Sequence, residues 1–522
     1  MAPRHRGIAE QTCSSYVLSC FVAELLDLIR VRLMVDRSPE YSQKRSGAYF
    51  TPTDVSEALV AWACRSPTDR MIDPSCGDGQ FLALHRNSVG IEQNPISAHH
   101  AIERAPGALV HEGDFFTWAL ETQERFECAA GNPPFIRYQT FNGETRRRAL
   151  DLCLALGVRF SGLASSWAPF IVASAGLLKR GGRMAFVVPA EIGHAPYAAP
   201  LLDYLVSSFS TVQITAVRKK LFPLLSEDCW LLYAEGYGGK TDAIDMSIVD
   251  EFVPGRTPPK PVVRIDLDEW RSVWNRRLRP YLLPNSVRGL YAEALADPGT
   301  RRLGDFANVG IGYVSGHNGF FHLRPSDAKR LGIPSAFLQP SLRNGRAMPE
   351  KQITLATVER WKKDDEAVLL LRLGRDQEIP DTVRSYLDSS AGQEARQGYK
   401  CRNRAPWYAV PDVQIPDFVM SYMSGRSVNL VRNAAGVTCT NSVHSVRVHD
   451  RALASKLLPA WTSPFVRLSC EVEGHALGGG MLKLEPREAG RIVFPSTFAA
   501  ENVNDDELEE AIGRLQRWRH YN

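Results

Sequence analysis

The sequence predicts an α/β fold in the first half of the chain, built on an open sheet of seven strands, and a mixed α+β domain after it. Two observations lead to this fold class. Between about residues 50 and 240, short apolar runs alternate with helical stretches, a rhythm typical of strands joined by crossover helices. Past residue 240 the alternation ends, and 522 residues are too many for a single core.

Bulk composition is that of a soluble globular protein, with 44% hydrophobic and 23% charged residues. The formal net charge is only +4, so any contact with nucleic acid must come from local basic surfaces. The ten cysteines are scattered singly, which argues against a zinc site or a disulfide framework and favours a reducing cytosol. No apolar run approaches the roughly 20 residues that a membrane helix needs. We therefore predict a cytoplasmic protein without a metal site.

The sequence of the N-terminal part predicts a helical segment followed by a loop. Apolar residues recur at helical spacing over residues 13–36, and a loop over 45–52 precedes a helix that begins near Asp54. Near residue 240 a glycine-rich and then a proline-rich stretch indicate a linker. The predicted organisation is a packing segment over 1–45, an α/β domain over 46–245, a linker over 246–262 and a second domain over 263–522 that ends in a helix.

The first two strands of the α/β domain end in groups suited to a nucleotide. Met71-Ile72-Asp73 runs into a loop with Gly77 and Gly79, whose missing side chains allow a ligand to approach the backbone. The second strand, over 88–91, ends in Glu92, where such sheets accept hydrogen bonds from ribose hydroxyls. An ordinary βα repeat with surface acids would show the same residues. The ends of the third and fourth strands are therefore needed to distinguish a nucleotide site from such a repeat.

The third and fourth strands add acceptors and aromatic rings. Asp114 and Phe115 follow the third strand, where they could accept from an adenine amino group and pack on its ring. The fourth strand stops at Asn132-Pro133-Pro134-Phe135, a tetrapeptide without a nucleophile or a strong base. Its acceptors and its ring suit a flat, amino-bearing base, although Asn-Pro-Pro is equally a good turn. Four strand ends that converge at one sheet edge favour a ligand cleft.

The second half of the chain interleaves arginines with aromatic residues. This pattern suits phosphate contacts and base packing, and an arginine-rich solvated face would look the same. The stretches that show it are Trp270, Arg271, Trp274, Arg276, Arg277 and Arg279, then residues 343–346, and then residues 400–408.

In their order, these motifs resemble the gamma group of DNA adenine-N6 methyltransferases of restriction–modification systems. The resemblance rests on Gly47-x-x-Phe50-Thr51-Pro52, Asp73-Pro74-Ser75-Cys76-Gly77-x-Gly79, Glu92, Asp114-Phe115 and Asn132-Pro133-Pro134-Phe135. It is looser over residues 310–318, 404–407, 441–444 and 478–484, which look like parts of this family's recognition domain. Phe135 departs from the family, where tyrosine is commoner, so we expect stacking to survive and any hydroxyl contact to be lost.

The resemblance implies a Rossmann-like class I methyltransferase domain that uses S-adenosylmethionine, followed by a DNA target-recognition domain. It implies a set of cofactor-binding residues: Tyr49, Thr51, Asp73, Ser75, Gly77, Glu92, Gln93, Asp114, Phe115 and Asn132. Asn132, Pro133, Pro134 and Phe135 would be catalytic, and Phe135 and Phe222 would stack on a flipped-out adenine. Candidate DNA contacts in the second half are Arg343, Arg346, Arg404, Trp407, His444 and Lys483.

The expected function is site-specific methylation of adenine N6 in double-stranded DNA. The enzyme would act as a monomer, and any partner restriction endonuclease would be a separate chain. Alternatives are an RNA adenine-N6 methyltransferase, a protein-glutamine N-methyltransferase and an inactive DNA-binding subunit. The long arginine-rich second half argues against the glutamine enzyme, and the intact Asn132 constellation argues against the inactive subunit.

Overall fold

The computed structural model describes residues 51–223, 225, 227–477, 479–496 and 504–521. The predicted N-terminal packing segment and Tyr49 lie outside the described residues. The chain divides into two compact units: the first extends to Ile192 and includes Pro196–Leu267, and the second comprises Gly193–Ala195 and the residues from Asp268 onward.

The first unit is built on one sheet of nine strands. The strands are β1 Met71–Asp73, β2 Ser88–Glu92, β3 Leu109–Glu112, β4 Phe126–Gly131, β5 Leu178–Pro189, β6 Phe209–Val217, β7 Cys229–Tyr237, β8 Ala243–Val249 and β9 Val263–Asp266. Their order is β3-β2-β1-β4-β5-β7-β6-β8-β9. The first five strands pair in parallel, and β7 runs antiparallel between β5 and β6. The seven predicted strands and the Rossmann-like α/β class are confirmed, but the sheet has nine strands instead of seven because β8 and β9 extend it.

Helices connect these strands. They are α1 Thr53–Ala63, α2 Pro95–Arg104, α3 Phe115–Glu121, α4 Gly143–Ala155, α5 Trp167–Gly176 and α6 Ala198–Ser208. Short 3-10 turns lie at Leu82–Leu84 and Ala190–Gly193. Helix α5 is buried over almost its whole length, which its apolar sequence WAPFIVASAG explains.

Strand β1 lies at the point where the order of the sheet reverses, between β2 and β4. In open α/β sheets the ligand crevice forms at this point, outside the carboxyl ends of the strands. Strand β4 suits its central place because Cys128, Ala129 and Ala130 are small and fully buried. A Cβ on Gly131 would lie 2.6 Å from Asp73 Oδ1, so only glycine lets β4 pass this close to the end of β1.

The domain boundary differs from the one that the sequence predicts. Residues 246–249 and 263–266, which the prediction assigns to the linker and to the second domain, form parts of strands β8 and β9 in the first unit's sheet. The proline-rich stretch is therefore a loop between two antiparallel neighbours. Proline and glycine mark a turn in either case, and no local signal distinguishes a connection within a sheet from one between domains.

The second unit mixes short strands and helices, as predicted. Its strands are β10 Arg301–Arg302, β11 Ala307–Ile311, β12 His322–Leu323, β13 Leu338–Leu342, β14 Gln352–Ile353, β15 Leu369–Leu371, β16 Phe418–Ser421, β17 Met423–Ser424, β18 Leu430–Asn433, β19 Thr438–Cys439, β20 Val443–Val448, β21 His475–Ala476, β22 Leu482–Lys483 and β23 Val493–Phe494. They form four sheets, ordered β11-β20-β16-β18-β14, β12-β15-β13-β19, β17-β22-β21 and β10-β23.

The helices after the first unit's sheet include the predicted C-terminal one. They are α7 Leu267–Ser272, α8 Asn285–Ala296, α9 Asn318–Phe321, α10 Pro325–Arg330, α11 Leu355–Lys363, α12 Asp381–Leu387, α13 Ser390–Gln397, α14 Tyr399–Arg402, α15 Arg451–Trp461, α16 Pro464–Glu473, α17 Pro486–Ala489 and α18 Asp505–Trp518. Leu508, Ala511, Ile512 and Leu515 form the buried face of α18. Among the described helices, none combines the length and the apolar character that crossing a membrane requires.

The first arginine–aromatic stretch is largely interior, which corrects its predicted role in binding phosphate. Trp270 and Trp274 are fully buried. Arg277 pairs with Glu473 at 2.9 Å, and Arg279 lies 3.4 Å from Glu471. A buried guanidinium needs a carboxylate partner, and here the partners lie on α16, far away in sequence. In sequence, a buried arginine–aromatic stretch therefore looks the same as an exposed basic surface.

Candidate active site

The ends of β1 and β2 are joined through the glycine loop. Asp73 is 1% exposed, and its Oδ1 accepts a hydrogen bond from the Ser75 amide at 3.1 Å. The Gly77 amide donates to Glu92 Oε2 at 3.0 Å, and the Gly77 backbone has a φ of +55°, which glycine adopts without strain. A Cβ built on Gly77 would meet no atom within 4 Å, so the loop leaves open space beside its backbone.

Burial governs the protonation of the side chains in this loop. It raises the pKa of Asp73 to about 8, and the charge of Glu92 adds to the rise, whereas the Ser75 amide opposes it. Burial also raises the pKa of the Cys76 thiol, and this thiol is therefore neutral. Cys76 is 4% exposed and packs in the first unit's core, in agreement with a packing role. A cationic group beside Asp73 would favour its carboxylate form.

Asp73→Asn is expected to change the pH dependence of stability. The pKa of this carboxyl is near 3.8 in the unfolded chain and about 8 in the folded protein. The folded state therefore binds the proton more tightly, and the stability gained from this is fully present below pH 3.8. It is lost as pH rises through about 8. Asparagine keeps the acceptor for Ser75 and does not titrate. In thermal unfolding without ligand between pH 5 and 9, the variant should gain a few degrees on the wild type as pH rises. Parallel curves would contradict the burial of a titrating Asp73.

Asn132 directly follows β4 and contacts two other candidate site residues. Its Nδ2 donates to Thr51 Oγ1 at 3.2 Å, and Ser75 Oγ donates to the Asn132 carbonyl at 3.4 Å. Thr51 is 6% exposed. The structure thus brings together Thr51, Ser75 and Asn132, which come from three separate segments. The contact with Thr51 ties the Asn132 side chain to the segment before α1.

The turn that follows Asn132 is held by Ser166, a residue that the sequence reading missed. Ser166 Oγ donates to the Pro134 carbonyl and accepts from the Ile136 amide at 3.0 Å. The Ser166 amide donates to the Ile136 carbonyl at 3.0 Å. Ser166 is fully buried and directly precedes α5. Both flanks of Phe135 are therefore fixed to the start of this helix.

The two rings predicted to stack on the base belong to one apolar cluster. Phe222 is 6% exposed within it, and the half-buried Phe135 packs against the same cluster. Both rings thus belong to the first unit's core, and their contact with a base remains a prediction.

Phe222→Leu tests the stacking role while it keeps apolar volume in this cluster. We expect methylation of a paired adenine to fall more than methylation of a mismatched one, because an unpaired base costs less to extrude. A loss of about tenfold on the paired substrate corresponds to one stacking contact. Single-turnover rates on the two duplexes measure this ratio. Equal losses on both substrates would assign Phe222 to packing alone.

The remaining predicted cofactor residues have structural contacts of their own. Asp114 Oδ1 caps α3 by accepting from the Thr117 amide at 2.9 Å and from Thr117 Oγ1 at 2.8 Å. Phe115 is 2% exposed, and its ring stacks on Phe170 with the centroids 5.2 Å apart. Gln93 is exposed next to Glu92. A role for these residues in holding adenine or ribose stays a prediction.

The candidate DNA contacts in the second unit fall into two groups. His444 is fully buried, with its Nε2 2.6 Å from the Leu484 carbonyl, so the structure gives it a packing role instead of the predicted surface contact. The Arg404 guanidinium donates to the carbonyls of Val314 and Ser315, and Trp407 packs in a core cluster. Lys483 pairs with Glu485 at 2.5 Å. Arg346 is exposed and Arg343 is half-buried, so these two stay the more accessible candidates.

Among the described residues, no group of three or more histidine, cysteine or acidic side chains could hold a metal ion. The residues that the sheet assembles are instead carboxylates, amide and carbonyl acceptors and aromatic rings. This set can bind a positively charged nucleoside-like ligand and an amino-bearing base side by side.

Comparison with known proteins links both units to one family. The model of the Eco57I restriction-modification methylase matches residues 82–222, and that of the C-terminal domain of the Type II methyltransferase M.Eco57I matches residues 275–520. The Type II methyltransferase M.XamI of Xanthomonas campestris pv. amaranthicola is 22% identical over 474 residues, covering 87% of this chain and 85% of its own. The Type II methyltransferase M.AccI of Acinetobacter calcoaceticus is 19% identical over 503 residues, covering 89% of this chain and 88% of its own.

Two solved structures are similar over most of the chain. The Type IIL restriction–modification enzyme MmeI in complex with DNA gives a TM-score of 0.47 at 12% identity, with 89% of this chain and 71% of that one covered. The type IIG restriction endonuclease BpuSI gives a TM-score of 0.42 at 15% identity, with 90% of this chain and 61% of that one covered. The family models match successive segments in both units, and the chain therefore belongs to the Eco57I group of restriction–modification methylases.

Proposed function

We propose that this protein is a site-specific DNA methyltransferase that transfers a methyl group from S-adenosylmethionine to N6 of a flipped-out adenine. One observation carries the proposal: Asn132-Pro133-Pro134-Phe135 ends β4 beside the buried Asp73 and the Gly77 loop, at the point where the sheet order reverses. The match to restriction–modification methylases supports DNA as the substrate. We further propose that the enzyme acts as a monomer and that a partner nuclease, where present, is a separate chain.

The residues at the ends of β1 to β3 fit the cofactor by their chemistry. The buried carboxyl of Asp73 would face the cofactor's ammonium group, which would offset its burial. Glu92 would accept from the ribose hydroxyls, and Asp114 with Phe115 would hold the adenine. Gly77 keeps its backbone accessible to the ligand. When bound, the cofactor supplies an electrophilic methyl group on a sulfonium centre.

Asn132 and Pro133 would make the adenine amino group reactive. The N6 lone pair is delocalised into the ring, so the free amine is a poor nucleophile. The Asn132 amide oxygen and the Pro133 carbonyl would each accept one amino hydrogen and favour a more tetrahedral nitrogen. Asn132 and Pro133 would thereby present the nitrogen to the cofactor's methyl group for direct transfer, without a covalent enzyme intermediate. The carbon–sulfur bond would break, the neutral thioether would leave, and N6 would give up one proton to solvent. Positioning and electrostatics supply the rate in this scheme.

Phe135 and Phe222 would offset the cost of extruding the base. Unstacking and unpairing cost a few kcal/mol. Stacking on an aromatic side chain returns about 1–3 kcal/mol per base. Two stacking contacts of this size would offset most of the cost of holding the adenine outside the duplex.

Methylation-sensitive sequencing of DNA from cells that express the chain tests the function. We expect N6-methyladenine in one enriched sequence motif, and no such motif with Asn132→Ala. Unmodified DNA from the wild type would contradict the proposal. In that case, methylation of cellular RNA or of protein glutamine, assayed in the same cells, would identify one of the alternative substrates.

A further inference from the structure

The second unit contains a cleft of about 600 Å³ that the sequence reading did not identify. It lies between the start of β13, the segment after β15 and the segment before β16. Its polar lining residues are Gln339, Arg372, Arg375, Gln377, Asp412 and Gln414, which we call the arginine–glutamine cleft.

The two arginines of the cleft form no ion pair with any acidic residue that the structure describes. Within the part of the chain that the structure describes, no acidic side chain lies within ion-pair distance of Arg372 or Arg375, and both are exposed. Arg277 and Arg404, by contrast, are engaged by a glutamate and by backbone carbonyls. The charge of the cleft is thus available to a ligand.

A hydrogen-bonded frame carries these side chains. Strand β13 pairs with β15, with Gln339 opposite Leu370, and the Arg372 amide donates to the Phe337 carbonyl at 2.9 Å. The Gln377 side-chain oxygen accepts from the Gly374 amide at 2.9 Å and so closes the turn that carries Arg375. Groups held on strand ends and closed turns keep the precise geometry that specific recognition needs.

The mixture of side chains fits base edges better than phosphates. Arginine makes two hydrogen bonds to guanine, glutamine makes two to adenine, and a carboxylate accepts from cytosine N4. A surface that only contacts phosphate carries no advantage from a carboxylate, whereas Asp412 lines this cleft. Asp412 has a φ of +57°, so its backbone adopts the left-handed region at the cleft wall.

We propose that the arginine–glutamine cleft reads base edges of the recognition sequence in double-stranded DNA, with Arg372 and Arg375 as the principal specificity-determining residues. The proposal rests on the proposed function, because it assumes that the enzyme methylates duplex DNA at a defined sequence.

The test compares Arg372→Ala and Arg375→Ala with the wild type on a duplex library randomised around the methylated site. Each variant should lose about 5- to 150-fold discrimination at one base position, which corresponds to one bidentate contact. Methylation of the preferred sequence should fall, and methylation of related sequences should rise relative to it. Arg396→Ala, an exposed arginine on α13 outside the cleft, should keep the wild-type profile.

Two results would overturn the proposal. An unchanged sequence profile in both cleft variants would show that bases are not read here. A uniform loss over all sequences, with a weaker dependence of binding on salt, would assign the arginines to phosphate. Failure of the proposed function looks different, because the wild type itself would then yield no methylated motif. Thermal unfolding of each variant excludes misfolding as the cause of a loss.

Discussion

Asn132→Ala should lower methyl transfer at least about a hundredfold and leave the affinity for S-adenosylmethionine close to that of the wild type. The amide oxygen is proposed to accept from the amino group as its charge changes, and removing one such preorganised group typically costs about 10²–10³ in rate. The cofactor would keep its contacts with Asp73 and Glu92. Single-turnover methylation with saturating cofactor measures the rate, and equilibrium binding measures the affinity.

Asn142→Ala is the matched control for this variant. It makes the same truncation in the same unit, at an exposed position before α4 where the side chain makes no capping hydrogen bond. Its methylation rate should equal that of the wild type. Near-normal activity of Asn132→Ala would rule out the amide as the essential acceptor, and a joint loss of cofactor binding would assign Asn132 to the cofactor instead.

The grouping of three candidate site residues at one sheet edge could be predicted because each stands at the carboxyl end of a strand. Asp73, Glu92 and Asn132 terminate β1, β2 and β4, and these strands are neighbours in the sheet. Parallel strands with crossover helices bring their carboxyl ends to one edge, so local sequence signals were sufficient. Thr51 was placed by the family resemblance, and its contact with Asn132 agrees with that placement.

The role of Ser166 could not be predicted from the local sequence. A serine before an apolar helix is usually interpreted as an N-cap. Here its backbone is already helical and its side chain makes no capping bond; its hydroxyl contacts the turn at Pro134 instead. Contacts between segments thirty or more residues apart leave no pattern in a single sequence. The same holds for Arg277, whose partner Glu473 lies on α16.

The second unit illustrates a related limit. Arginines near aromatic residues predict nucleic-acid contacts only when the side chains reach the surface, and burial depends on the tertiary fold. Arg279 is 4% exposed, whereas Arg375, which no motif marked, is exposed in the arginine–glutamine cleft. The arginine–aromatic pattern therefore did not indicate which arginines are exposed.

Ser166→Ala is expected to lower the rate of methyl transfer about 10- to 100-fold with little change in the KM for S-adenosylmethionine. The hydroxyl links the Pro134 carbonyl to the Ile136 amide, so its loss frees the Pro134 side of Phe135 and leaves Ile136 held only through its carbonyl by the backbone amide of residue 166. A displacement of about 1 Å in the groups that orient the adenine is enough to cost up to a hundredfold. The cofactor residues on β1 and β2 are not touched by the change. Steady-state kinetics with either substrate varied separates the two effects.

Ser174→Ala distinguishes positioning from stability. Ser174 is equally buried on the same helix, and its hydroxyl donates to the Phe170 carbonyl at 2.7 Å, within α5. Each substitution removes one buried hydroxyl and should lower stability by roughly 1–3 kcal/mol. If Ser166 positions the turn, only Ser166→Ala lowers the rate when both variants are assayed well below their melting temperatures. If both variants slow methyl transfer alike, the loss belongs to the packing of α5, and the turn holds its shape without the Ser166 hydroxyl.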